Sequence, residues 1–143
     1  MALEKNSGEG TSIIASLLDS ARAVRLKAWS PYSGFKVGCA LLDELGRIHV
    51  GSNVENASYG LTICAERAAF FSAVAQGARK IKKVIIVTDA ASPTPPCGAC
   101  RQVLAEFGLD FQVGLAGIEG DVLVWHSMES LLPNAFTFKP PNQ

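Results

Sequence analysis

The chain of 143 residues lacks an excess of charge of either sign. Thirteen basic residues balance thirteen acidic ones, and charged residues make up 18% of the sequence. Proteins that bind nucleic acid usually carry a basic face, so this balance argues against a nucleic-acid partner and favours a neutral small molecule as the substrate. Apolar residues make up 48%, which is enough to bury the core of one domain and weakly indicates oligomerisation.

Long hydrophobic runs are also absent. No apolar segment approaches the ~20 residues that a membrane-spanning helix needs, and the polar, Gly-rich start has no hydrophobic signal core. We therefore expect a cytoplasmic protein without a membrane partner. Thiols stay reduced in that compartment, so clustered cysteines indicate metal ligands rather than disulfides. No repeat or linker divides the chain, which predicts one domain over residues 1–143, with flexible tails at 1–11 and 139–143.

The hydrophobic patterns predict alternating helices and strands. The first predicted helix begins after a cap at Thr11 or Ser12, where apolar residues follow a helical period, and it should end before Ser30 and Pro31. The other predicted helices cover 65–74, 98–107 and 128–132, and the predicted strands cover 36–42, 47–52, 84–88, 111–115 and 122–125. This order predicts an α/β fold, a three-layer α-β-α sandwich with a five-stranded mixed sheet.

Three of the four cysteines lie in two short segments. Residues 64–67 read C-A-E-R, and residues 96–100 read P-C-G-A-C. This arrangement offers three thiolates to one metal ion and leaves the fourth tetrahedral position free for water. The spacing predicts a catalytic site with one Zn²⁺ per subunit, and with Glu66 as the carboxylate that moves the protons of the water. The predicted metal ligands are Cys64, Cys97 and Cys100.

Other interpretations of the cysteines remain open. A C-x-x-C pair seen alone is more often half of a structural zinc site or a redox pair. A structural site needs a fourth ligand, and none of Cys39, His49 and His126 has ligand-type spacing. Cys39 lies within an apolar strand and is expected in the core, whereas both histidines are expected at the surface or hydrogen-bonded beside strands. A zinc-stabilised interaction module without turnover is the alternative from another class.

Three further segments carry a resemblance to a known family: residues 30–38 (SPYSGFKVG), 53–59 (NVENASY) and 131–136 (LLPNAF). With the cysteine segments, they resemble the small homotetrameric zinc-dependent cytidine deaminases over most of the chain. The resemblance implies hydrolytic deamination of cytidine and 2′-deoxycytidine to uridine and 2′-deoxyuridine with release of ammonia, in pyrimidine salvage. It implies that a zinc-bound hydroxide attacks C4 of the cytosine ring and that Glu66 carries the protons that move during the reaction. A deaminase for blasticidin S is the nearest alternative, and a polynucleotide-editing deaminase would need a basic surface.

The resemblance also implies roles for residues outside the metal ligands. Asn53 and Glu55 would hold the 3′-hydroxyl of the ribose, so that both nucleosides are accepted, and Phe35 would pack near the base. Arg67 would donate hydrogen bonds to the thiolates. Neighbouring subunits of the homotetramer would complete each active site. The residues implied at that junction are Ala57, Tyr59, Phe136 and Tyr32, and Ala65 is a further implied substrate contact.

Overall fold

Helices and strands alternate along the chain in the computed structural model, which describes residues 7–119 and 123–141. Their order confirms the predicted α/β fold and its five-stranded mixed sheet. The helices are α1 (Ser7–Arg25), α2 (Ala65–Ala75), α3 (Gly98–Leu104) and α4 (Met128–Leu131), and the strands are β1 (Val37–Asp43), β2 (Ile48–Ser52), β3 (Ile81–Thr88), β4 (Gln112–Ala116) and β5 (Val124–Ser127). The single domain over residues 1–143 stays a prediction.

The first helix begins earlier than predicted. Apolar periodicity places its start after a cap at Thr11 or Ser12, whereas α1 begins at Ser7. Thr11 and Ser12 are exposed and polar, so no apolar period marks the first turns of the helix. α1 therefore extends into the segment 1–11, of which residues 1–6 lie outside the described part of the chain.

Boundaries of other elements also differ from the prediction. β3 begins at Ile81 instead of Val84, because Ile81 pairs with Asp43 beyond a register shift in β1. α3 ends earlier than predicted, and a 3-10 turn at Ala105–Phe107 follows it. The predicted start of the last strand, Val122, lies outside the described residues.

The strands form one sheet in the order β2-β1-β3-β4-β5. β1 is antiparallel to both of its neighbours, β3 and β4 are parallel, and β5 is antiparallel to β4. α3 lies in the crossover that a parallel pair requires. The carboxyl ends of β3 and β4 therefore meet at one end of the sheet. The amino end of β1 lies there too, because Val37 pairs with Thr88.

The sheet lies between two helical layers because alternate residues of its central strands face opposite sides. On one side, α1 packs against a core that includes Ala40, Ile85 and Val87. On the other side, α2 and α3 pack against a core that includes Cys39 and Ile86. Cys39 is fully buried, which confirms its predicted place in the core. None of the helices in the described residues has the length and apolar character to span a membrane.

Two glycines let helices lie directly on the sheet. A Cβ atom on Gly38 would lie 2.0 Å from the carbonyl oxygen of Ala21 in α1. A Cβ atom on Gly51 would lie 2.2 Å from the backbone nitrogen of Ala69 in α2. Glycine is needed at both positions because any side chain would collide with the backbone of the helix. Gly51 thereby sets the depth of α2, the helix that begins beside Cys64.

The hairpin between β1 and β2 contains a buried polar cluster around Asp43. The Asp43 carboxylate accepts hydrogen bonds from the backbone N–H groups of Leu45 and Arg47 and from Arg47 Nε, and it lies 2.8 Å from His49 Nε2. Burial acts to raise the pKa of Asp43, but these hydrogen bonds outweigh it and hold the pKa well below its usual value. His49 is therefore buried and hydrogen-bonded rather than at the surface, whereas His126 is half-buried in β5.

Candidate active site

Two helix starts bring the three predicted metal ligands together. Cys64 directly precedes α2, Cys97 directly precedes α3, and Cys100 lies in the first turn of α3. The Sγ atoms of Cys64 and Cys97 are 3.8 Å apart, and all three Sγ atoms lie within 4.8 Å of one another. All four cysteines of the chain are free thiols. This cysteine cluster is therefore arranged around one point rather than paired in a disulfide.

The cysteine cluster fits a tetrahedral zinc ion. A Zn–S bond is about 2.3 Å long, so two thiolates on one tetrahedral zinc are about 3.8 Å apart. The separation of Cys64 and Cys97 matches that value, while a disulfide would need about 2.0 Å. Thiolates are ligands that zinc prefers and that magnesium does not. Three protein ligands leave the fourth position for water or substrate, as in catalytic zinc sites.

The thiols of the cluster ionise unequally. Hydrogen bonding with Cys100, with further contributions from Arg67 and Cys97, lowers the pKa of Cys64 to about 5. The same hydrogen bond to Cys64, together with burial and the nearby Glu66, raises the pKa of Cys100. Cys64 therefore ionises before Cys100. A metal ion that binds here displaces the remaining thiol protons, so metal binding is expected to release protons.

Glu66 lies in the first turn of α2 and is only 4% exposed. Burial raises the pKa of Glu66; a hydrogen bond with Cys100 opposes the shift, and the charge of Cys64 adds to it. The carboxyl group therefore contacts the cysteine cluster directly. A raised carboxyl pKa suits a group that accepts a proton and returns it near neutral pH.

Two arginines stabilise the cysteine segments. Arg67 Nη2 donates to Cys64 Sγ at 3.5 Å, which places a positive charge beside the thiolates. Arg101 Nε donates to the carbonyl oxygen of Pro96 at 2.8 Å, and its Nη1 donates to that of Leu131 at 2.7 Å. Arg101 thus connects the segment before Cys97 to the end of α4. Sequence reasoning assigned a role to Arg67 and missed Arg101.

A cavity of about 300 Å³ opens beside the cysteine cluster. Small-molecule sites typically enclose about 300–1,000 Å³, so this volume suits one small ligand. Six of the residues that the sequence predicted for metal binding, catalysis or substrate contact line it. They are Phe35, Asn53, Glu55, Cys64, Ala65 and Glu66.

Asn53 and Glu55 also hold the loop that carries Phe35. Asn53 Oδ1 accepts from the backbone N–H of Val37 at 2.8 Å, and Asn53 Nδ2 donates to the carbonyl oxygen of Phe35 at 2.8 Å. Glu55 Oε1 accepts from two backbone N–H groups of the same loop. Asn53 and Glu55, which were predicted to bind a sugar hydroxyl, therefore fix the conformation of the loop that forms part of the cavity wall.

Three residues predicted to contact the substrate do not line this cavity. Ala57, Tyr59 and Phe136 are exposed, and the last two have 73% and 74% of their surface accessible. Tyr59 packs edge-to-face on Tyr32, with ring centroids 5.4 Å apart. Gln102 Nε2 donates to the carbonyl oxygen of Phe136 at 3.2 Å, so a hydrogen bond holds the backbone there although the residue is exposed.

Comparison with known proteins identifies the family. The sequence model of the cytidine and deoxycytidylate deaminase zinc-binding region matches residues 12–114. The chain belongs to this family. A cytidine deaminase of Halalkalibacterium halodurans is 46% identical over 127 residues, covering 88% of this chain and 96% of that protein.

Solved structures of family members share the fold. The crystal structure of cytidine deaminase from Burkholderia pseudomallei is 47% identical, with a TM-score of 0.81, covering 85% of this chain and 98% of that chain. The crystal structure of cytidine deaminase from Mycobacterium tuberculosis is 37% identical, with a TM-score of 0.75, covering 87% of this chain and 97% of that chain.

The family assignment bears on two predictions made from the sequence. The predicted deaminase family is confirmed, and so is zinc as its metal, because the matching region is the zinc-binding one. Within the described residues, Cys64, Cys97 and Cys100 form a group of ligand-type side chains that could hold the ion. The homotetramer stays a prediction.

Several cavity residues of this deaminase-family chain were not predicted. Thr88 ends β3, Thr94 lies in the proline-rich loop that follows, and their hydroxyl groups are 3.4 Å apart. The carboxyl ends of parallel strands often carry ligand sites, and that signal could have found them. Ser33 also lines the cavity. Ser33 lies in the segment 30–38 that resembles the family, but in that segment a substrate contact was predicted only for Phe35.

Proposed function

We propose that this chain removes the exocyclic amino group of cytidine by hydrolysis and releases uridine and ammonia. The observation that carries the proposal is the buried carboxyl group of Glu66 in contact with the cysteine cluster, beside a cavity of about 300 Å³. A metal site next to a proton-transferring carboxyl group suits the addition of water to an electrophilic carbon. The cytidine deaminases among its relatives support the same substrate.

Glu66 is the group that moves protons in the proposed reaction. Zn²⁺ held by Cys64, Cys97 and Cys100 would supply Lewis acidity that brings the pKa of water toward about 7. Glu66 accepts a proton from the attacking water and delivers it to N3 of the cytosine ring, which makes C4 electrophilic. Glu66 then takes the proton of the hydroxyl group added at C4 and passes it to the amino nitrogen, so that the C4–N bond breaks, ammonia leaves and C4 becomes the carbonyl carbon of uridine. One carboxyl group thus serves first as base and then as acid.

Asn53 and Glu55 select the nucleoside through its sugar. Hydrogen bonds, chiefly from the Ser33 hydroxyl, hold the pKa of Glu55 below its usual value. An ionised carboxylate accepts hydrogen bonds and donates none, so it favours a hydroxyl at this position. Such a site binds the 3′-hydroxyl and makes no contact that depends on a 2′-hydroxyl. It therefore accepts both cytidine and 2′-deoxycytidine. Phe35 packs near the base.

The proposed assembly is a homotetramer in which neighbouring subunits complete each site. It is supported by Ala57, Tyr59 and Phe136, which are exposed and lie outside the cavity of their own chain. In the assembly, Phe136 reaches the base of a neighbouring site, and Tyr59 with the backbone near Ala57 contacts the 5′ side of the sugar. The proposed setting is pyrimidine salvage in the cytoplasm, which rests on the resemblance of the sequence.

A direct absorbance assay tests the proposed function. Zinc-loaded protein is mixed with cytidine, 2′-deoxycytidine and blasticidin S at matched concentrations, with Glu66→Gln as the control protein. We expect both nucleosides to lose absorbance with the native protein, and neither to do so with the variant. Bound zinc without turnover of any compound would support an interaction module instead. Faster turnover of blasticidin S than of cytidine would contradict the nucleoside assignment.

A further inference from the structure

Glu55 is held from the side by the loop that precedes Phe35. Its Oε1 atom accepts hydrogen bonds from the backbone N–H groups of Tyr32 at 2.9 Å and Ser33 at 3.1 Å. Its Oε2 atom accepts one from the Ser33 hydroxyl at 2.5 Å. Gly34, with φ at 70°, lets the loop turn sharply after Ser33. Three donors of one short loop therefore converge on one carboxylate.

The Ser33 hydroxyl links two residues of the cavity wall. It donates to Glu55 Oε2 and accepts from the backbone N–H of Phe35 at 3.0 Å. A hydroxyl group can do both at once. Ser33, Phe35 and Glu55 all line the cavity beside the cysteine cluster. Loss of this hydroxyl would release Oε2 of Glu55 while both backbone hydrogen bonds to Oε1 remain.

The remaining hydrogen-bonding capacity of Glu55 is small. An ionised carboxylate has about four acceptor positions, and the loop fills both positions on Oε1 and one on Oε2. We propose that Ser33 is a positioning residue for substrate selection, which fixes Oε2 of Glu55 so that its one free acceptor position receives one sugar hydroxyl. This inference rests on the proposed function, because it requires a nucleoside in the cavity.

The loop keeps other anchors when the Ser33 hydroxyl is removed. Asn53 holds the carbonyl oxygen of Phe35 and the backbone N–H of Val37, each at 2.8 Å. The backbone N–H of Glu55 donates to the carbonyl oxygen of Trp29 at 2.7 Å. Ser33→Ala is therefore expected to fold normally and to loosen one carboxylate oxygen, which makes it a specific test.

The test compares two ligands that differ in one hydroxyl group. For native protein, Ser33→Ala, Ser33→Thr and Ser16→Ala, the KM of cytidine and the inhibition constant of 3′-deoxycytidine are measured in one absorbance assay. Ser16 is exposed on α1 and serves as the matched control. In Ser33→Ala we expect the KM of cytidine to rise about tenfold, since a hydrogen bond to a charged group loses its geometry. The inhibition constant of 3′-deoxycytidine should not change.

The outcomes separate positioning from a structural role. Ser33→Thr retains a hydroxyl and should restore the KM of cytidine, and Ser16→Ala should match the native protein. Equal weakening of both ligands in Ser33→Ala, or no change in either, would overturn the inference, because then Ser33 does not act through the sugar hydroxyl. Native protein that leaves cytidine unchanged would overturn the proposed function itself, and this inference with it. Thermal unfolding of each variant verifies that it is folded.

Discussion

Glu66 is the residue on which the proposed chemistry depends, and its environment comes from the folded chain. It is 4% exposed and its carboxyl group contacts Cys100. Burial raises its pKa, whereas an exposed glutamate at the start of a helix would have its charged form favoured by the helix dipole. The C-A-E-R segment alone therefore does not give Glu66 the raised pKa that the proposed proton transfers need. Burial in the folded chain does.

Glu66→Gln removes the proposed proton acceptor and keeps the size of the side chain. We expect kcat for cytidine to fall by at least about 10³-fold, because both proton transfers are lost. Zinc content by elemental analysis and the midpoint of thermal unfolding should match the native protein. A variant that retains about a tenth of the native kcat would rule out Glu66 as the shuttle.

Asp43 gives a prediction for stability against pH. Its folded-state pKa lies below the value of about 3.9 in unfolded chains. Its stabilising contribution is therefore fully present above that value and is lost as the pH falls through the folded-state pKa. In Asp43→Asn, we expect the free energy of unfolding at pH 7 to fall by about 2 kcal/mol, because buried donors lose their carboxylate.

Urea unfolding at pH 7, 4 and 3 measures the effect of Asp43→Asn, with Asp19→Asn on the exposed face of α1 as the control. The difference between Asp43→Asn and native protein should shrink as the pH falls below about 4, since the native carboxylate then begins to lose its advantage. The control should follow the native protein throughout. A difference that stays constant across the range would mean that Asp43 does not contribute through its charge.

The packing of α2 against the sheet determines where Glu66 lies. α2 carries Glu66 in its first turn and follows Cys64, so any displacement of the helix moves both residues. The contact that sets this position is between backbones, at Gly51 in β2. Backbone atoms cannot rotate away as side chains can, and a protein interior has little free volume to absorb a shift.

Gly51→Ala tests that contact. Its Cβ atom would lie 2.2 Å from the nitrogen of Ala69 and 2.6 Å from the carbonyl oxygen of Ala65. We expect the free energy of unfolding to fall by about 3 kcal/mol, and the midpoint of thermal unfolding to fall by about 9 °C. Turnover of cytidine should fall as well. Gly60→Ala, where nothing lies within 4 Å, is the matched control; equal midpoints for the two variants would contradict the packing argument.

The surface of the whole molecule carries large aromatic side chains away from its own cavity. Tyr59, Phe136 and Phe138 are each more than 70% accessible. Scattered apolar residues are common on protein surfaces, but Tyr59 and Phe136 also lie in segments that resemble the family's subunit junctions. The proposed homotetramer gives these two aromatics a function, because each would serve the active site of a neighbouring chain.

Mixing two inactive variants tests whether the sites are shared. Glu66→Gln lacks the proposed proton shuttle, and Phe136→Ala lacks the aromatic ring that would reach the neighbouring site. Each alone should have little activity. After the two are unfolded together and refolded, sites that combine Glu66 of one chain with Phe136 of another should restore part of the native turnover. If verified mixed oligomers recover no activity, Phe136 does not serve the active site of a neighbouring chain, and the shared-site proposal is wrong.

The sequence by itself determined the family, zinc as its metal and the order of the elements. Local signals carry these features: a thiol spacing that suits one ion, a carboxylate two residues from a ligand, and apolar periods of helix and strand. The start of α1 was missed because Thr11 and Ser12 lie in polar turns without such a period. The sequence left open whether His49 is at the surface or hydrogen-bonded, because its partner Asp43 approaches only across the hairpin.

Only the tertiary structure decided which residues share the cavity and which contacts hold them there. The loop that uses Ser33 to hold Glu55, the hydroxyl pair of Thr88 and Thr94, and the tie from Arg101 to Leu131 all join residues that local patterns do not relate. These contacts depend on strand order and on the depth of α2. Periodicity reports which face of an element is buried, but not which other element covers it.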